Sequence, residues 1–188
     1  MSVTMAIMNG DRLELIRSFV NTRDVETGTD DLSTARALVA WLSGRGLVER
    51  SLHATALDAA RAREVREALR ALLVANAGRA EPAGAWSALE RQGRRSRVRL
   101  AFGARGPELE PQSTGVDGAL GVVLTAVAGS VADGSWRSLK ACLADDCRWA
   151  FIDRSRNGSR RWCDMRVCGN REKARAFRAR QGHTQVPG

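Results

Sequence analysis

The sequence predicts an α+β protein in two parts. The first is a mostly helical N-terminal domain with a small β-hairpin; the second is a small β-hairpin-plus-helix unit built around cysteines. Three observations predict it. Apolar residues recur at helical spacing through most of the first 134 residues. The pattern switches to strand alternation in "RVRLAF" and, less clearly, in "ELEPQ". All four cysteines fall between positions 142 and 168, inside a basic C-terminal stretch. The composition breaks at "ADGSW", which divides the chain into residues 1–134 and 135–188.

The elements follow in order. "NGDRLELIRSFVNTRD" carries Leu13, Ile16 and Val20 at helical spacing, with Asn9 as the expected cap. "VETGTDD" reads as a loop. "DDLSTARALVAWLSGRG" reads as a second helix entered at Asp30 or Asp31 and stopped by Gly44 or Gly46, with Leu38, Trp41 and Leu42 inward. Thr55 and Asp58 form a capping box opening a long helix, with Leu57, Val65, Leu69, Leu72 and Leu73 inward and Gly78 at its end. Pro82 suits the first turn of a short helix ending near Arg91. "GARG" is the expected hairpin loop, and Pro111 would keep the second strand at an edge. "GVDGALGVVLTAVAGSVADG" returns to a buried helix with three internal glycines.

Apolar content of 44% excludes a disordered chain. The N-terminal stretch has no cationic segment followed by an unbroken apolar run, so no signal peptide is expected. No window of eighteen uncharged apolar residues predicts a membrane span. A cytoplasmic protein is expected. Net charge is +9, and its placement is more telling than its size. Residues 136–188 hold 13 Lys and Arg against 5 Asp and Glu, whereas residues 1–135 hold 17 against 16. A positive field confined to one end points to a polyanionic partner, nucleic acid or an acidic membrane surface. Arg outnumbers Lys 28 to 2, a bias typical of GC-rich coding, so the clustering carries the argument rather than the choice of Arg.

Cys142, Cys147, Cys163 and Cys168 give C-x4-C-x15-C-x4-C, two close pairs spaced to wrap one tetrahedral Zn²⁺. Two disulfides or four unrelated buried thiols are the competing readings. The absence of a signal peptide argues against the first, and the absence of cysteine from residues 1–141 argues against the second. A four-cysteine shell is closed, so one structural Zn²⁺ is expected, contributing folding free energy to a unit with little core of its own. Between the pairs, Asn157-Gly158 is a hairpin signal that sets Arg156 against Ser159 and Arg154 against Arg161. A tip carrying Arg154, Arg156, Arg160 and Arg161 suits a polyanion; a merely solvated tip is the alternative. Trp149, Phe151 and Trp162 are expected to cover the metal site. After Cys168, Gly169 and Asn170 read as turn and cap of a last helix. Arg171, Arg175 and Arg178 share one stripe of it, suited to a major groove or to phosphates, with a solvated face as the bland reading. Ala174 and Phe177 lie on a neighbouring face suited to packing inward.

The "CGNR" at the second cysteine pair, preceded by "SRNGSRRWC", closely resembles the CGNR zinc-finger family. "LELIRSFVNTRD" followed by "WLSGRGL" resembles the ABATE domain that usually precedes that finger. The resemblance implies a stress-linked bacterial transcription regulator with a treble-clef-like, DNA-binding finger, nucleoid-associated when bound, and an N-terminal domain that senses an unidentified small molecule. It carries the metal ligands onto Cys142, Cys147, Cys163 and Cys168, with Gly169, Asn170 and Arg171 completing the motif. Asn21, Thr22, Arg23 and Asp24 either line a polar ligand pocket or form a cap-and-turn network. No enzyme signature is present, and His53 and His183 read as surface residues. RNA binding, or protein interaction through a purely structural finger, are the alternatives to duplex DNA. The oligomeric state stays open, a homodimer included.

Overall fold

The computed structural model describes residues 9–103 and 106–182. Six α-helices are described: α1 (Asn9–Val20), α2 (Ala35–Ser43), α3 (Ala56–Asn76), α4 (Ala85–Ser96), α5 (Gly115–Ala132) and α6 (Asn170–Gly182). Two antiparallel hairpins join them, β1 (Arg99–Gly103) with β2 (Gly106–Glu110) and β3 (Leu139–Ala141) with β4 (Ala150–Ile152).

α5 is the central helix, packed between α1 and α4. It is long and apolar enough to cross a membrane, and here it supplies Val116, Ala119, Leu120, Val123, Ala126 and Val127 to the core. Two of its glycines are required by close approach. A Cβ on Gly118 would collide with the Ser113 carbonyl oxygen, and one on Gly121 would stand 2.6 Å from Pro111 Cβ. From α1 come Leu13, Ile16, Phe19 and Val20; the side chain of Asn9, the expected cap, lies outside the described residues.

Several expectations are corrected. α2 starts at Ala35, capped by Thr34, not at Asp30 or Asp31. The Asp30 carboxylate is taken by the buried Arg66 guanidinium (2.6 and 2.8 Å) and by the Leu32 N–H, so that stretch stays a turn. Leu38, Trp41 and Leu42 are buried as expected. The Thr55–Asp58 capping box opens α3, and Val65, Leu69, Leu72 and Leu73 are buried. Leu57 is instead 64% exposed, because it stands about 200° round the helix from buried Ala59. α4 begins after Gly84, whose φ of +85° breaks the helix away from Pro82, and continues past Arg91 to Ser96. Its last turn is held by polar contacts to α5: Ser96 Oγ donates to the Asp117 carbonyl (2.6 Å), and Gln92 to the Asp117 carboxylate (3.1 Å). Apolar spacing carries no trace of such contacts.

In the β1–β2 hairpin Leu100 lies opposite Leu109 and Phe102 opposite Pro107, and all four are exposed. The two central loop residues lie outside the described residues. Pro111 follows β2 directly.

The main core does not stop at residue 134. Trp136, Leu139, Ala141 and Ala150 belong to the same buried cluster as Leu13, Leu69 and Leu120. β3 packs on α3, and β4 on α1.

Candidate metal centre and its basic surround

β3 runs directly into Cys142, and the chain then turns tightly before β4. Cys147 and Arg148 N–H groups both donate to the Ala144 carbonyl (3.0 and 3.1 Å), and Arg148 adopts the left-handed region (φ +55°) to complete the knuckle. Of the second pair, Cys163 lies just before and Cys168 within a π-helical turn, Met165–Gly169, that runs into α6. Its cap is Asp164, whose carboxylate accepts from the Arg166 and Val167 N–H groups (2.7 and 3.2 Å). The expected cap, Asn170, instead has helical dihedrals, because the helical run has already started five residues earlier.

These two turns bring all four sulfurs within 4.8 Å of one another. Cys147 and Cys163 Sγ are 3.6 Å apart, and Cys163 and Cys168 Sγ 3.7 Å. A disulfide needs about 2.05 Å. Four sulfurs each about 2.3 Å from one tetrahedral ion would lie about 3.8 Å apart. Hydrogen bonds from Cys147 and Cys163 hold the Cys142 thiol far below its ordinary value, and the same contacts push the Cys147 and Cys163 thiols up. Four thiols so close cannot all ionise without a cation among them. Trp149 and Trp162 pack on the cluster, as expected; Phe151 is buried on β4, with the Arg160 guanidinium 5.2 Å from its ring. Trp162 Nε1, Arg148 Nη1 and Arg171 Nε, on residues adjoining or contacting the cluster, are buried donors without acceptors among the described residues. Donors of this kind suit sulfurs that metal binding has deprotonated and so turned into charged acceptors. The donor set fits one Zn²⁺ with a closed shell.

The segment between the pairs departs from the expected hairpin. Ser155–Gly158 is a turn, with Gly158 at φ +55°, but no strand is described from Asp153 to Asp164. Arg154 and Arg161 are therefore not a cross-strand pair. The Asp153 carboxylate draws the loop around itself instead. It accepts from the Ser155 N–H and Oγ, the Arg160 N–H and the ammonium of buried Lys140 (2.8 Å), which also donates to the Gly158 and Arg160 carbonyls. Burial pushes this carboxyl up, yet those donors outweigh it and hold it well below the usual carboxylate range.

Residues 13–134 match the ABATE family, described as "Putative stress-induced transcription regulator". The chain belongs to the ABATE family. Residues 138–181 match the CGNR zinc finger. No curated protein matches the chain.

In this ABATE-family chain the arginines singled out by sequence separate into three groups. Arg175 is paired with Asp146 (2.5 Å) and Glu172 (2.5 Å), and Arg171 with Glu26 (3.0 Å) and Asp146 (3.3 Å). Arg154, Arg156, Arg161 and Arg178 are exposed and make no ion pair among the described residues. Arg160 donates to the Cys163 carbonyl (2.5 Å). Ala174 and Phe177 do not pack inward: α6 is exposed from Lys173 to Gln181, and Phe177 is 54% exposed, because among the described residues only the π-helical turn packs substantially against this helix.

The "NTRD" side chains form a network. The Asn21 carboxamide donates to the Ala150 carbonyl (2.9 Å) and accepts from the Ala150 N–H (2.7 Å), as a neighbouring strand would. Thr22 Oγ1 donates to the Phe19 carbonyl and accepts from Arg66. Arg23 pairs with Glu67 (3.8 Å), and the Asp24 carboxylate accepts from the Glu26 and Thr27 N–H groups. Buried Arg70 on α3 donates to the Val20, Arg23 and Arg148 carbonyls, tying the end of α1 to the knuckle. Sequence reading missed Arg66 and Arg70. The available signal was their spacing, which puts them on the apolar face of Ala62, Leu69 and Leu73. Of the two histidines, His53 is exposed beside Arg36 and Arg50, lining a groove against α2, and His183 lies outside the described residues.

Proposed function

We propose that this ABATE-family protein is a non-enzymatic cytoplasmic regulator that binds duplex DNA through its C-terminal finger. The carrying observation is a set of exposed finger cations, Arg154, Arg156, Arg161, Arg166, Lys173 and Arg178, none of them paired with a carboxylate among the described residues. Unneutralised cations on a finger attract phosphates and release the counterions around them. The closed four-thiolate shell leaves the ion no open position. Its role is to hold the knuckle and the start of α6 in one geometry.

A gel-shift series on duplexes, across a range of salt and with and without chelator, tests the reading. The expected result is zinc-dependent binding whose log affinity falls linearly with log salt. Zinc-loaded protein that leaves duplex DNA unshifted at low salt would sink it. Preference for single-stranded or looped RNA over duplex DNA would move the reading to RNA.

A second reading has its own observation. Met165, Val167 and Phe177 are exposed on the finger, which suits a protein partner. Arg154→Ala with Arg178→Ala should weaken nucleic-acid binding and spare protein capture, whereas Phe177→Ser should weaken protein capture and spare nucleic-acid binding.

A further inference from the structure

Arg171 belongs to the "CGNR" stretch, and its guanidinium joins three parts of the chain. Nη1 lies 3.0 Å from Glu26 Oε1, in the loop between α1 and α2, and 3.3 Å from Asp146 Oδ2 in the knuckle. Nη2 donates to Cys168 Sγ at 3.5 Å. Nε is buried without an acceptor among the described residues. The side chain is only 26% exposed. A residue serving a phosphate outside the protein would have to leave all three acceptors.

We propose that Arg171 is a positioning residue of the metal centre. It orients the Cys168 thiolate, offsets part of the negative charge of a four-thiolate zinc site, and through Glu26 couples metal loading to the seating of the α1–α2 loop.

Four thiolates around one Zn²⁺ leave a formal charge of −2, held beside the carboxylates of Asp146 and Glu26. A cation among these groups offsets their charge, and Arg171 touches one of the thiolates, Cys168, together with both carboxylates. Arg175 grips Asp146 from α6, which fixes the carboxylate that Arg171 uses. The planar guanidinium directs separate N–H groups to separate acceptors, whereas a lysine ammonium is a single point charge that cannot span them. Partners that orient a metal ligand typically alter metal affinity by about 10- to 100-fold when removed. The contact with Glu26 makes a side chain of the ABATE domain an outer partner of the finger's ion.

The inference stands apart from DNA binding, and its test uses the metal alone. The full chain is prepared as wild type, Arg171→Ala, Arg171→Lys, Glu26→Gln and Arg178→Ala. Zinc affinity is measured by competition with a chromophoric chelator, and each protein is also loaded with Co²⁺ to record the sulfur-to-metal charge-transfer band. Arg171→Ala should weaken zinc binding by about 10- to 100-fold. Its band should move to lower energy, because the Cys168 sulfur loses a hydrogen-bond donor. Arg171→Lys should restore only part of both. Glu26→Gln should weaken zinc binding by a smaller factor, and Arg178→Ala should match wild type. Wild-type zinc affinity and an unmoved band in Arg171→Ala would overturn the role at the thiolate. An unchanged Glu26→Gln would overturn the coupling to the loop. Should Arg171→Ala fail to fold, Arg171→Lys and Glu26→Gln decide the matter by the same two readouts.

Discussion

The two halves of the finger are built on different physics. In the first, Leu139, Ala141, Cys142 and Ala150 are fully buried, and β3 and β4 lie on α3 and α1. In the second, residues 153–182, Trp162 packs on the cysteines, but Met165, Val167 and Phe177 face solvent, and α6 is exposed from Lys173 to Gln181. The first half is held by an apolar core shared with the N-terminal helices. The second has almost nothing to bury, and its shape rests on the cysteines, on Asp153 and on ion pairs. The cysteines span the join, Cys142 and Cys147 from the docked half and Cys163 and Cys168 from the presented half. A small finger need not be an autonomous unit: here one half is scaffold and the other is what the ion holds up.

Metal removal is the most severe way to break this contrast. Structural zinc sites contribute about 10–16 kcal/mol of apparent binding free energy. Chelation, or Cys168→Ser, should therefore abolish amide-exchange protection around residues 163–170 while α3 and α5 keep theirs. Equal loss of protection in both halves would show that the division is wrong.

Removing one partner of a buried ion pair comes next. Asp153→Asn should cost about 3–5 kcal/mol in denaturant unfolding, because it leaves the buried Lys140 ammonium without its counter-charge. Both carboxyls, Asp153 and Asp30, are held below the usual range: burial raises them, and Lys140 and Arg66, with other donors, outweigh it. A depressed carboxyl contributes stability that is fully present above its unfolded value of about 3.9 and is lost as pH falls through the folded value. Asp153→Asn should flatten the acid limb of the stability profile below that point.

Asn21→Ala should cost about 1–3 kcal/mol, since it strands a buried N–H and a carbonyl on β4. The smallest effect is expected on the presented half. Arg156→Ala with Arg178→Ala should shift stability by no more than about 0.5 kcal/mol. The same pair should lower the slope of log affinity against log salt by about 1 for each phosphate the protein no longer neutralises. A large stability change there would mean that these cations are structural too.

Much of this was legible in the sequence where the signal is local. The C-x4-C-x15-C-x4-C spacing predicts the cluster, and Thr55 with Asp58 predicts the start of α3. Leu13, Ile16, Leu69 and Leu73 mark buried faces by their period. The failures share a cause, which is partnership at long range. Nothing near Arg171 announces Glu26, 145 residues away, and nothing near Asp153 announces Lys140 across the knuckle. The Asn157-Gly158 signal predicts a turn and the turn is present, but Asp153 gathers in the flanking residues before they can pair as strands. Asn170 reads as a cap because the true cap, Asp164, serves a π-helical turn, which leaves no periodic trace.

The carboxamide of Asn21 has a consequence for solubility. β4 is the outer member of a two-stranded ribbon, and its outward N–H and carbonyl at Ala150 are the groups through which a stray chain would add itself. Asn21 occupies both with a side chain that cannot propagate the ladder. Its loss would leave that edge unpaired beneath α1, so that any opening of the α1–β4 contact would present a template for intermolecular pairing.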